Sequence, residues 1–199
     1  MKKIILVVLL CLIPFLCDAQ QIIVTKKKAG GACTPSAAGT LLVGSSTEGA
    51  GAAAMPAGWA NFINADYTAT WAGDCTTETM ATIDVFVRVT SGGTLNCKAF
   101  VTNSDGTIVT NGISNALGME WEEAATWHTF TMGTPPTLTK STAYKLAFIC
   151  DAGDYEFGFV NTGAVSYCGH ENSYASPTTI SCGYEDDTSA AIGSIRGKK

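Results

Sequence analysis

Apolar residues fall at every second position over much of this chain. Between Ala81 and Val89 it reads A-T-I-D-V-F-V-R-V, with Ala81, Ile83, Val85, Val87 and Val89 on one side and Thr82, Asp84, Phe86 and Arg88 on the other. Successive side chains of an extended chain point to opposite faces, so this stretch predicts a strand with one buried face. Ser91-Gly92-Gly93 predicts a turn into a second strand, Leu95 to Thr102, whose apolar face is Leu95, Cys97, Ala99 and Val101. Asn103-Ser104-Asp105-Gly106 carries a D-G step and predicts another turn, with Thr107 to Thr110 opening the strand that answers it.

The same grammar continues. Trp127 to Met132 predicts a strand with Phe130 and Met132 inward, stopped by Gly133-Thr134-Pro135-Pro136. Ala143 to Cys150 aligns Tyr144, Leu146, Phe148 and Cys150, and Tyr155 to Val160 aligns Tyr155, Phe157 and Phe159. Leu41 to Val43 and the β-prone run Gln20 to Thr25 add short strands, while Gly44 to Gly58 reads as a Gly/Ala-rich loop. Asn115 to Ala125 is ambiguous, because Met119, Glu122 and Glu123 also fit one helical turn. About ten short strands without strand–helix alternation predict an all-β protein, a disulfide-stapled antiparallel β-sandwich.

The first residues change the picture. Lys2 and Lys3 precede an apolar run from Ile4 to Cys17, and Ala19 is the small residue a signal peptidase requires. With Pro14 inside it, the run is a poor membrane span, which needs about 20 apolar residues. Cys11 and Cys17 each follow Leu, which does not suit a lipoprotein cut. The expected organisation is a signal peptide at 1–19 and a single domain behind it. In that domain 20–58 supplies N-terminal strands and the Gly/Ala-rich loop, and 59–199 the sandwich body. The expected location is secreted, extracellular or periplasmic, with no membrane contact after cleavage.

Of the 8 cysteines, Cys33, Cys75, Cys97, Cys150, Cys168 and Cys182 lie behind the signal peptide, with no C-x-x-C pair. An even number in an exported chain predicts disulfides rather than a zinc or dithiol-redox site. Strand grammar suggests the pairing. Cys97 opens one strand and Cys150 closes another on matching core faces, so antiparallel neighbours bring them together. Bridging Cys168 to Cys182 closes a short polar loop, which leaves Cys33 with Cys75.

Charge is sparse, with 12 Lys/Arg against 17 Asp/Glu and a formal net charge of −5. An acidic chain of this kind argues against nucleic acid and anionic lipid as partners.

A resemblance enters at Met80 to Cys150. The strand ATIDVFVRV, a Gly-Gly turn, the strand CKAFV, the strand Trp127-His128-Thr129-Phe130-Thr131 and the run Leu138 to Phe148 (LTKSTAYKLAF) resemble jelly-roll modules of secreted bacterial and phage tail proteins. The resemblance implies a jelly-roll sandwich like that of carbohydrate-binding domains. Fold alone does not assign a function.

Candidate chemistry is thin. The 2 histidines, His128 and His170, come with no G-x-S-x-G elbow, which disfavours a nucleophilic hydrolase. Glu120, Glu122 and Glu123 surround Trp121 and fit a solvated acidic loop as well as a glycosidase pair. Asp151 and Asp154 lie in one turn, and Glu185-Asp186-Asp187 in another. These are the candidate ligands for a structural calcium ion, the one cofactor considered. Sugar recognition needs exposed rings on which pyranose C–H faces can stack, and the candidates are Trp121, Trp127, Trp59 and Trp71. The function expected is a non-catalytic extracellular binding or adhesion module with carbohydrate as ligand. The first alternative is a self-assembling filament or tail-fibre-like subunit, in which Gln20 to Thr25 is donated to a neighbour across Gly30-Gly31. The second is a small secreted hydrolase.

Overall fold

A computed structural model of the chain describes residues 32–48, 51–56, 59–63, 66–90, 93–152, 154–161, 167–181 and 191–199, with the backbone alone at 51–56, 59, 61–63, 157–161, 167–171 and 191–193. The expected signal peptide at 1–19, the expected strand at 20–25, Gly30-Gly31, Cys182 and Glu185-Asp186-Asp187 lie outside the described residues. Ala32 apart, the described residues belong to one unit, Cys33–Lys199.

These residues hold strands and no helix, hence no helix long and apolar enough to cross a membrane. In chain order the strands are β1 (Leu41–Gly44), β2 (Gly51–Pro56), β3 (Trp59–Ile63), β4 (Tyr67–Thr68), β5 (Thr77–Thr79), β6 (Thr82–Val89), β7 (Leu95–Asn103) and β8 (Ile108–Ile113). There follow β9 (Leu117–Met119), β10 (Thr126–Thr131), β11 (Thr137–Thr139), β12 (Ala143–Cys150), β13 (Asp154–Asn161), β14 (Tyr167–Glu171), β15 (Ala191–Gly193) and β16 (Ile195–Lys198). One 7-stranded sheet runs β1-β16-β6-β13-β15, with β10 also on β6 and β2 also on β13. The other runs β14-β3-β12-β7-β8, with β4 on β12 and β9 on β7, and β5 pairs with β11 in a small ribbon. Every ladder between these strands is antiparallel.

The stripe read from the sequence at Ile83, Val85, Val87 and Val89 is fully buried. It joins Leu95, Cys97, Ala99, Val101, Leu146, Phe148 and Cys150 of the second sheet in one core, a sandwich-like arrangement. Phe148 ties the layers together, meeting Phe130 edge-on at 5.6 Å and Tyr155 at 5.1 Å. Such aromatic pairs contribute about 0.5–1.5 kcal/mol each beyond the area they bury.

Cys97 and Cys150 stand opposite each other in the β7–β12 ladder and are bridged, with Cα atoms 4.1 Å apart. Cys33 is bridged to Cys75, with Cα atoms 4.9 Å apart. The first is the pair that the strand grammar suggests, and the second is the pair left over. Cys168 lies on β14, and its expected partner is outside the described residues.

Two local readings need correction. Gly44 to Gly58 is not simply a loop, because Gly51–Pro56 pairs along β13 from Gly51↔Phe159 to Asp154↔Pro56. Its alanines and glycines carry no alternation to read, and the long neighbouring strand supplies the order. Asn115 to Ala125 contains no helical turn; Leu117–Met119 is a strand, because Met119 pairs with Leu95 and is buried. Beyond these, β7 and β12 are covered on their second face as well as on the first. Phe100, Ala147 and Ile149 form a second cluster with Ala60 and Ile180. Residues 172–181 are strapped over this face. The Ile180 amide donates to the Gly106 carbonyl at 3.0 Å, and the Lys98 ammonium sits 4.4 Å over the Tyr174 ring.

The outer edge of the second sheet is interrupted. Ile113 pairs with Phe100 and Ile108 with Thr102, so the residues between them bulge from the ladder, and Asn111 takes a φ of 62°. A bulge on an edge strand discourages pairing with another chain.

Gly106 provides a test of the strap. Its φ is +86°, and an added Cβ would lie 1.9 Å from the Ile180 carbonyl oxygen. Gly106→Ala is expected to lose about 3 kcal/mol or more, the sum of backbone strain and overpacking. Gly39, with a φ of +78° and open space around it, should lose only about 1–2 kcal/mol on the same change. Urea unfolding of both variants measures the difference, and equal losses would mean that the strap does not press on Gly106.

Candidate ligand-binding site

The polar side of β6 is an ordered surface. Asp84 is buried there at 2% exposure among residues that compensate its charge. Arg196 Nε donates to its Oδ2 at 2.9 Å, Lys198 Nζ reaches the same oxygen, and Thr129 Oγ1 donates to Oδ1 at 2.9 Å. Burial pushes this carboxyl's pKa up, but the hydrogen bonds from Lys198, Arg196 and Thr129 outweigh it and hold the group below the ordinary carboxylate value. Two residues along, Phe86 stands opposite Trp127 of β10, with ring centroids 5.4 Å apart. The Arg196 guanidinium lies 4.0 Å over the Trp127 ring, whose Nε1 donates to Glu48 at 2.9 Å. Next comes Arg88, paired with Glu156 at 2.7 Å and donating from Nη1 to the Glu123 carbonyl at 2.7 Å.

That last contact leads to Trp121. The loop between β9 and β10 is laid against the end of β6. Trp121 bridges to Val89, and the Glu122 amide donates to the Val89 carbonyl at 3.1 Å. Glu122 Oε2 lies 2.9 Å from His128 Nε2, which is 3.1 Å from Thr126 Oγ1. Backbone and side-chain contacts therefore fix the loop on both sides of a tryptophan that is itself 59% exposed. Trp121 and Leu41 are the exposed large hydrophobics among the described residues. Beside the indole is an open cleft of about 330 Å³, lined by Gly93, Thr94, Glu120 and Trp121.

The other three tryptophans fare differently. Trp71 is buried, its Nε1 donating to the Cys75 carbonyl at 2.9 Å, so it belongs to the core beside the Cys33–Cys75 bridge and is no stacking platform. Trp127 is engaged by Arg196 and Phe86, which occupies the ring that the sequence suggested for sugar. Trp59 opens β3, and its side chain is outside the described residues. Of the calcium candidates, Asp151 is committed to Asn96, accepting from its amide at 2.8 Å and its side chain at 2.9 Å. The Asp154 carbonyl accepts from the Thr90 amide at 3.0 Å. Among the described residues the one group with metal-ligand spacing is Cys33, Asp74 and Cys75, whose two sulfurs are spent on their disulfide.

A larger cleft of about 510 Å³ follows the bulged edge of β8 and is lined by hydroxyl and amide side chains, among them Asn103, Thr107, Asn111 and Thr137. Among its described lining residues there is neither an aromatic ring nor a charge. Comparison with protein families, curated proteins and solved structures finds no match to this chain. The site reading therefore stands on its own geometry.

Asp84 was placed on the polar face by the alternation alone. Its partners were not, because Arg196 is 112 residues away in sequence and carries no periodic signal. A carboxyl whose pKa is lowered by folding adds stability above its ordinary value of about 4, and that stability fades as pH falls through the folded value. Asp84→Asn leaves two cations without their partner and is expected to cost about 3 kcal/mol at pH 7. The gap between variant and parent should shrink below about pH 4, where the parent's carboxyl also becomes neutral. Denaturant midpoints across pH measure this, and a gap independent of pH would remove the ion cluster from the account.

Proposed function

We propose that this protein is a secreted, non-catalytic binding module of jelly-roll type, that its ligand is carbohydrate, and that Trp121 is the stacking surface. One observation carries the reading: a tryptophan 59% exposed on a loop held by Val89, Arg88 and His128. Leaving so large an apolar side chain in water forgoes about 2 kcal/mol of burial, and rigid support lowers the entropy lost when a ligand stacks on it. Sugar rings offer flat C–H faces to such an indole while their hydroxyls stay near water. The two disulfides suit an oxidising compartment. His128 has a structural task in this reading, since it holds Glu122 and with it the loop.

The assembly alternative depends on Gln20 to Thr25, outside the described residues, and the bulged β8 edge offers no flat template for an added strand. Binding is therefore the preferred reading.

The test is co-sedimentation of the purified protein with insoluble polysaccharides such as cellulose, chitin and xylan. Retention on at least one is expected. Trp121→Ala should weaken it at least about tenfold while shifting the unfolding midpoint little, as for a truncated hot-spot side chain on a surface. Trp127→Ala should instead destabilise the fold through the loss of its Phe86 and Arg196 contacts. Retention unaffected by Trp121→Ala, or none on any polysaccharide, would overturn the proposal.

A further inference from the structure

The charges beside Trp121 are unbalanced. Along the outer face of β6 the acidic side chains are engaged: Asp84 by Arg196 and Lys198, Glu156 by Arg88, and Glu48 by the Trp127 indole N–H. Glu78, on β5 of the small ribbon, has Lys199. In the Trp121 loop the pattern stops. Glu122 faces His128, but among the described residues the carboxylates of Glu120 and Glu123 have no ion-pair or hydrogen-bond partner, and both residues are exposed. Glu120 lines the same cleft as the indole, and the other described lining residues are Gly93 and Thr94, so no cation lines it among the described residues. The nearest arginine, Arg88, is already spent on Glu156 and the Glu123 carbonyl.

We propose that the Trp121 cleft selects amino sugars in their protonated form, so that its ligand is a glucosamine-type polysaccharide rather than a neutral or acidic one. This rests on the carbohydrate reading of the same site. A pyranose lying on the indole brings a ring substituent to the cleft wall, where Glu120 waits. An ammonium there gains a charge-assisted hydrogen bond to Glu120 and the attraction of the indole face. A uronic acid at the same place meets Glu120 and Glu123 with a like charge, and a hydroxyl or acetamido group forgoes the ion pair. The whole chain favours the same partner, with a net charge of −5.

The experiment compares retention of the full chain on beads of chitosan, its N-acetylated counterpart chitin, and alginate, at a pH where the glucosamine amines are protonated. Preference for chitosan is expected. Added salt or Glu120→Gln should cut it by up to about fivefold, as for a rim-exposed ion pair. Trp121→Ala should lose binding to chitosan and chitin alike. Thermal melts of each variant confirm that it is folded. Trp121-dependent retention that is equal on chitosan and chitin, or unchanged in Glu120→Gln, would overturn the amino-sugar inference and leave the carbohydrate reading standing. Chitosan retention abolished by salt but indifferent to Trp121→Ala would be general attraction to an acidic protein and would overturn the inference. Absence of Trp121-dependent retention on every polysaccharide would overturn both.

Discussion

Strand β6 hydrogen-bonds to β10 on one side and to β16 and β13 on the other, and its two faces meet opposite demands. Because side chains alternate, Ile83, Val85, Val87 and Val89 fill the core while Asp84, Phe86 and Arg88 are forced outward together. A slip of one residue would bury a carboxylate and a guanidinium against Phe148 and expose four aliphatic side chains, so the register is strongly fixed. The candidate site inherits that precision. Val89 carries the bridge to Trp121, and Arg88, one position before it, holds the Glu123 carbonyl from the outer face. A loop with little packing of its own is thus ordered by a strand whose inner face is fully buried.

The elements legible in the sequence were those with strong alternation. Ala143–Cys150 has the bounds that its pattern gives, and Thr82–Val89 and Leu95–Asn103 differ from their expected bounds by one residue at one end. The Cys97–Cys150 pairing was legible for the same reason, since opposed positions in an antiparallel ladder follow from which strand ends share a face. What escaped was structure imposed from a distance. The β2 strand has almost no side chains with which to announce itself. The second core exists because Ile180 and Tyr174, in a polar run containing Pro177, fold back over Phe100 and Ile149. Period-two reading marks one face as apolar and cannot tell that Phe100, on the other, will be covered.

The tryptophans show the same division. Four indoles look alike in sequence, and exposure is what separates a platform from a core residue. Trp71 is recruited by the Cys75 carbonyl, which needs a donor once buried, and its Nε1 satisfies that need. Trp127 stands where alternation points it outward, yet Arg196 arrives from the far end of the chain to cover it. A long-range cation contact of this kind leaves no local trace. Among the tryptophans whose side chains are described, Trp121 combines exposure with backbone restraint, and its flanking glutamates are visible in the sequence.

Those glutamates set the site apart from the rest of the surface. With 17 acidic and 12 basic side chains, some carboxylates must go without a partner. Where partners are present they serve order: Lys199 secures Glu78, and Arg196 and Lys198 fasten β16 to β6 through Asp84. The loop around Trp121 is ordered by other means, through the backbone contact with Val89, the Arg88 hydrogen bond to the Glu123 carbonyl and the Glu122–His128 contact. Its stability does not require that Glu120 or Glu123 be neutralised. An unpaired exposed carboxylate costs little in water, but beside an indole it gives the surface a sign. Any ligand that lies on the ring must bring hydrogen-bond donors or positive charge to that edge, or give up the contact.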